Sequence, residues 1–163
     1  MKKFLFVLVA SATALVMSCG SAPAAKTAAK APAEPVTVFS LDGEANLTIA
    51  ENKPYNYQGL FNVPGWVVEK GDSVTITIKG TTDVDVALLK CFLVSTGSGW
   101  DVLSGYDDFS TSPLKVGEEF EFTHSMKATA SGASGNNISF YIEFSDAKSA
   151  PTLTLNTLEV VVQ

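Results

Sequence analysis

Arginine is missing altogether. The eleven bases in 163 residues are all Lys, and seventeen Asp and Glu oppose them for a formal net charge of −6. Proteins that grip a nucleic-acid backbone concentrate Lys and Arg on one face, so nucleic acid is excluded as a partner class. Histidine occurs once, at 124, and cysteine twice, at 19 and 91. That leaves very little from which to build a His/Cys metal centre. No Gly-x-Ser-x-Gly segment occurs, so the elbow that presents a hydrolase serine is lacking. No apolar run reaches the roughly 20 residues of a membrane-spanning helix. Charge is sparse at 17%, whereas 46% of residues are hydrophobic and 10% aromatic, which excludes disorder over most of the chain. The length fits one domain, with or without a leader.

Residues 1–18 have the layout of a secretory signal: Lys2 and Lys3, then an apolar stretch from Phe4 to Met17 interrupted weakly at Ser11–Thr13. The stretch ends Val16-Met17-Ser18-Cys19. That ending resembles a bacterial lipobox, with Met17 where a smaller residue is commoner. The resemblance implies cleavage before Cys19 and a diacylglyceryl thioether on its sulfur, usually with an acylated amino group. Several acyl chains, at about 0.8 kcal/mol per buried methylene, anchor stably where one is marginal. The lipid bilayer is thus an expected partner. Removal of Lys2 and Lys3 leaves the mature chain more acidic still, so lipid rather than a basic patch would do the anchoring. The expected address is the bacterial cell envelope. Gly20-Ser21 lacks the Asp that enteric-type sorting uses for inner-membrane retention, which favours the outer membrane in such a host. With Cys19 lipidated, Cys91 has no intrachain partner, and its apolar neighbours from Val86 to Val94 predict a buried, inert thiol.

Residues 19–35 comprise the lipidated Cys and GSAPAAKTAAKAPAEP, with no aromatic or large aliphatic residue. Such a segment cannot bury enough to offset its ordering entropy and reads as a flexible linker. Residues 36–163 form the expected folded domain, and their hydrophobic period is two. Val74, Ile76 and Ile78 share one face of a strand while Thr75, Thr77 and Lys79 share the other. Ile138, Phe140, Ile142 and Phe144 form a second such face, Phe120 and Phe122 a third, Leu47 and Ile49 a fourth. In the last run the apolar parity switches between Leu155 and Leu158, which predicts a bulge at Asn156-Thr157. Turn residues separate eight or nine strands, with no amphipathic helix. The fold class is all-β, an antiparallel β-sandwich.

Lys70-Gly-Asp-Ser-Val-Thr-Ile-Thr-Ile-Lys-Gly80, Gly99-Trp-Asp-Val-Leu-Ser104, Gly117-Glu-Glu-Phe120 and Leu158-Glu-Val-Val-Val162 resemble segments of jelly-roll carbohydrate-binding modules with a galactose-binding-like sandwich. The resemblance spans most of residues 36–163 and implies an antiparallel β-sandwich of jelly-roll type and non-catalytic binding of a polysaccharide or oligosaccharide. Such modules often hold a structural calcium through acidic residues before the final strand. Here Asn156-Thr157 stands in that place, which puts calcium in doubt, and no other cofactor is implied.

Catalytic and metal candidates are thin. His124 reads as a surface or turn histidine at the end of the Phe120–Thr123 strand. Asp107-Asp108 and Glu118-Glu119 are adjacent pairs whose side chains diverge, unlike the facing carboxyls of glycosidases. Asp83 and Asp85 offer two oxygens on one strand face, short of the six to eight that calcium takes, and open water is the expected surrounding. Sugar binding needs flat aromatic faces with amides and carboxylates beside them. Tyr55, Tyr57, Trp66, Trp100, Tyr106 and Phe109 are available. The stretch Trp100–Phe109 sets three aromatics among three aspartates on an expected loop. The candidate ligand-binding set is Trp66, Trp100, Tyr106, Asp107, Asp108 and Tyr141; for Trp66 packing at the sandwich end is an equal alternative, and for Trp100 packing in the core or at the edge is the favoured one. Two functional readings follow. Either the domain binds carbohydrate, or it docks on another envelope protein.

Overall fold

The alternating pattern folds as it reads. The computed structural model describes residues 33–163, except 52–56, 98, 133–134 and 144–149, and these form strands and turns without helix. Cys19, the leader, most of the linker, Tyr55 and Phe144 lie outside the described residues. Eleven strands are present among those described: β1 Val36–Ser40, β2 Ala45–Thr48, β3 Ala50–Glu51, β4 Tyr57–Asn62, β5 Ser73–Thr82, β6 Leu88–Ser95, β7 Asp101–Val102, β8 Asp107–Asp108, β9 Phe120–Lys127, β10 Asn136–Glu143 and β11 Thr152–Val162. The count exceeds eight or nine because three of the strands have only two residues.

Two antiparallel sheets result. One has the order β1-β11-β5-β9, with β2 also on β11; the other has β3-β4-β10-β6-β7, with β8 also on β6. If β1 and β2, β3 and β4, and β7 and β8 are each taken together, the eight positions run first-eighth-third-sixth and second-seventh-fourth-fifth. That is the jelly-roll arrangement, in which the first and last strands pair and each long connection returns beside an earlier strand. The chain changes sheets between β2 and β3 through Ile49, which is fully buried.

Burial follows parity. In β5, Val74, Ile76 and Ile78 are buried; in β10, Ile138, Phe140 and Ile142; in β11, Leu153, Leu155, Leu158 and Val160. These side chains interleave between the sheets in one core cluster. Fully burying one such side chain contributes roughly 1.5–3 kcal/mol. The register of β11 against β5 slips between Leu155 and Thr157. Asn156 is therefore the extra residue that returns Leu158 to the inner face. Opposite this irregularity, a Cβ on Gly80 would run into the Thr154 carbonyl oxygen and come within 3.0 Å of Leu155 Cα. Only glycine fits there. The turns at Asp42-Gly43 and Lys70-Gly71 place their glycines at φ 88° and 102°, a left-handed conformation that other residues adopt at a cost.

Candidate functional site

Strand β6 is apolar on both faces, and the site follows from that. Leu89, Cys91 and Leu93 join the core between the sheets, whereas Phe92 and Val94 are equally buried but stand apart from it. By strand alternation these two point away from the core, so something must cover them. The cover is the segment Trp100–Phe109. It forms no free loop, in contrast to the expectation: β7 pairs with β6 at Val102 and Asp101, and β8 pairs with it at Asp108 and Asp107. Between the two short strands Leu103 N–H donates to Leu93 O at 2.8 Å, and the Ser104 hydroxyl accepts Leu93 N–H at 2.9 Å. Beyond β8, Phe109 and Ser110 N–H both donate to Leu89 O, and Ser110 Oγ accepts Leu89 N–H at 2.9 Å. Two serine hydroxyls thus stand in for missing ladder partners, and each buried amide is satisfied.

Held in this way, Trp100 and Tyr106 rest on Phe92. The Phe92–Tyr106 centroids are 4.4 Å apart and tilted by 40°; the Phe92–Trp100 centroids are 6.3 Å apart at 65°. Tyr106 meets Tyr141 edge-on at 6.3 Å. Phe92 is 1% exposed, but Trp100 and Tyr106 remain 50% and 53% exposed. A soluble domain gains nothing by holding two large rings half in water, which is what makes the cluster informative. Tyr141, half-buried, joins them on the outer face. Three of the expected ligand-binding residues, Trp100, Tyr106 and Tyr141, are therefore brought together.

The same face carries polar groups. In Cα register, Gln58, Tyr141, Lys90 and Asp108 form one row across four strands, and Leu60, Ser139 and Phe92 form the next. Gln58 Nε2 donates to Ser139 Oγ at 2.7 Å, and Lys90 Nζ lies 3.2 Å from Asp108 Oδ1. Gln58, Leu60, Lys90, Phe92 and Ser139 were not among the expected site residues. The double-sided apolar run around Phe92 was the available signal, because an outward Phe in a central strand needs a lid.

Asp107 and Asp108 part company, as neighbours on a strand do. Asp108 stays on the outer face, half of the ion pair with Lys90. Asp107 turns the other way and meets His124 Nε2 at 3.2 Å, so it is not part of the ring-bearing face. His124 is no turn residue: it stands inside β9, partly buried, with its ring 6.0 Å from Phe109. Phe109 is itself buried, edge-on to Phe140 at 5.6 Å.

Trp66 corrects the expected set. It is 7% exposed and belongs to the core cluster, and its carbonyl accepts the Asn136 amide at 2.7 Å. The turn at Pro64-Gly65 swings it inward to plug the sandwich, so it presents no ring to a ligand. Asp83 and Asp85 also differ from expectation. Both follow β5 in a turn; Asp83 Oδ1 accepts Thr152 N–H at 2.8 Å, while Asp85 accepts Val116 N–H at 3.0 Å and pairs with Lys115 at 2.7 Å. These contacts, first of all the Lys115 hydrogen bond, hold the Asp85 carboxyl below its usual range, and Lys115 is raised in return.

Cys91 is free and buried beneath the ring cluster. Burial pushes its thiol well above the usual range, and the nearby Asp107 carboxylate adds to the effect. Such a thiol is a poor nucleophile. A separate cleft of about 230 Å³ lies between residues 112–115 and the start of β9, lined by Pro113, Phe120, Phe122 and Glu118, Glu119 and Glu121. None of the expected ligand-binding residues reaches it. Among the described residues no three His, Cys, Asp or Glu side chains converge to hold a metal ion.

No family model matches the chain, and no curated protein matches it. Among solved structures, it is similar to the N-terminal cellulose-binding domain from Cellulomonas fimi β-1,4-glucanase C, at 22% identity and TM-score 0.49, over 73% of this chain and 78% of that one. It is similar to a structure described as "CBM4 structure and function" at 16% identity and TM-score 0.49, over 79% and 78%. It is similar also to the CBM22-2 xylan-binding domain from Paenibacillus barcinonensis Xyn10C, at 12% identity and TM-score 0.47, over 77% and 91%.

Proposed function

We propose that the jelly-roll domain binds carbohydrate on the outer face of the six-stranded sheet, without catalysis, and works at the bacterial cell envelope on a lipid anchor at Cys19. The observation that carries the first half is the half-exposed ring cluster of Trp100, Tyr106 and Tyr141, seated on buried Phe92. Ring faces stack on the C–H side of a pyranose. The Gln58 amide and the Asp108 carboxylate, in the adjoining row, match its hydroxyls. The anchor is supported by Val16-Met-Ser-Cys19 at the end of the leader-like segment.

The test is a panel of soluble polysaccharides in affinity electrophoresis with the full chain. One or more polymers should slow it. Trp100→Ala and Tyr106→Ala should each weaken that retention about tenfold, or about 1.4 kcal/mol. No retention by any polymer, or retention indifferent to both substitutions, overturns the reading. For the anchor, mass spectrometry of the native protein should find acyl groups on residue 19, and Cys19→Ala should move the protein to the soluble fraction.

A second reading has an observation of its own. Leu60 and Val102 are exposed on the same face as the rings, which suits docking on another envelope protein. Capture of one defined protein by the wild-type face, lost in Leu60→Ser, with no polysaccharide retained, would favour it.

A further inference from the structure

We infer that this face discriminates by charge, admitting uncharged glycans and rejecting anionic ones, and that Asp108 sets the discrimination through its place beside Lys90. The inference rests on the carbohydrate reading above. In the row Gln58–Tyr141–Lys90–Asp108, Lys90 is the cation that the register sets beside the rings. Its side chain is 22% exposed and its ammonium is matched at 3.2 Å by Asp108, which is 67% exposed. The charge that would welcome a uronate or sulfate is thus the inner, covered member of the pair, and the outer member is a carboxylate.

An anionic sugar stacked on Trp100 and Tyr106 would approach the negative end of the Lys90–Asp108 pair. Charges several ångströms apart at a wetted surface repel weakly, by a factor of about five for each close pair, and salt screens them. An uncharged pyranose meets no such repulsion, and its hydroxyls can donate to the same Asp108 oxygens. Overall charge acts in the same direction: the chain carries −6. Exposed Asp108 has little part in the core, so its replacement tests recognition rather than folding.

The experiment uses the full chain and matched pairs of polymers: soluble β-glucan, xylan, mannan and galactan, each native and carboxymethylated. Wild type should prefer the native form of the polymer it retains by at least about fivefold at low ionic strength. The preference should shrink in about 0.5 M salt, where screening acts within a few ångströms. Asp108→Asn, which removes one carboxylate from beside Lys90, should lower the native-to-carboxymethylated ratio about fivefold. Lys90→Met in the same chain restores the net charge of the pair and should return the ratio to the wild-type value. Equal retention of both forms by wild type, or a ratio that Asp108→Asn leaves unmoved, overturns the inference while the carbohydrate reading stands. Failure of every native polymer to retain wild type overturns that reading and this inference with it.

Discussion

Asp85 shows how a single side chain departs from what its spacing implies. Asp83-Val-Asp85 places two carboxylates at alternate positions, which in a continuing strand would set them side by side. The chain turns instead, and each carboxylate caps a different backbone amide, that of Thr152 or of Val116. Spacing was legible here and direction was not, because the partners come from 31 and 69 residues away. The Asp85–Lys115 contact makes a pH prediction with a definite sign. Asp85 titrates below the ordinary carboxylate value of 3.8 when folded, so its contribution is present above that pH and is lost as the pH falls through the lowered value. Lys115 titrates above 10.5 when folded, so its contribution is present below that pH and is lost as the pH rises through the raised value. Asp85→Asn should therefore melt slightly below wild type between about pH 4 and pH 10, and the two melting curves should converge at both extremes. A melting-temperature series against pH measures this. The pair is exposed, so the gap should be small and should narrow with added salt.

At the level of the element, the strands with strict alternation were readable because alternation is a local property: β5, β10 and β11 needed only their own residues, and the bulge at Asn156 showed as a change of parity. The segment Trp100–Phe109 was not readable in the same way. Its aromatics and aspartates look like a loop until β6 is seen to be apolar on both sides. Only pairing with β6 turns it into two short strands. Trp66 failed for the complementary reason, since a turn decides whether a ring at a strand's margin points inward, and turn geometry depends on what the sheet leaves open. The serines that fasten the segment supply a direct check. Ser104→Ala and Ser110→Ala each leave a buried β6 amide without its acceptor, which costs about 1–3 kcal/mol. The double variant should lose stability by about the sum, because the two bonds lie on separate amides. Its Trp100 fluorescence should shift to the red under native conditions as the ring leaves Phe92. Equal emission from wild type and double variant would show that the ring packing holds the segment without the hydroxyls.

For the molecule as a whole, two-sheet architecture was legible from period and turns, but strand order was not. Nothing local states that the first and last strands of the domain lie together, with Val36 opposite Val162. That arrangement makes the core a single cluster drawn from both halves of the sequence, and it predicts cooperative opening. Cys91 at its centre reports on this. In the folded chain iodoacetamide at pH 8 should leave the Cys91-containing peptide unmodified for hours. Modification in denaturant should rise along the same curve as loss of far-UV dichroism. Labelling that runs ahead of the dichroism would show that the sheets separate in stages.

The short strands over β6 have one more consequence. Were residues 100–109 to come away, β6 would be left as a bare sheet edge with Cys91-Phe-Leu-Val94 along it, uncharged and strongly β-forming. Such an edge is a template on which a second copy can add its own strand and a third follow. The stretch that displays the rings is thus also a guard against self-association, and a variant that opens it to improve recognition risks precipitating.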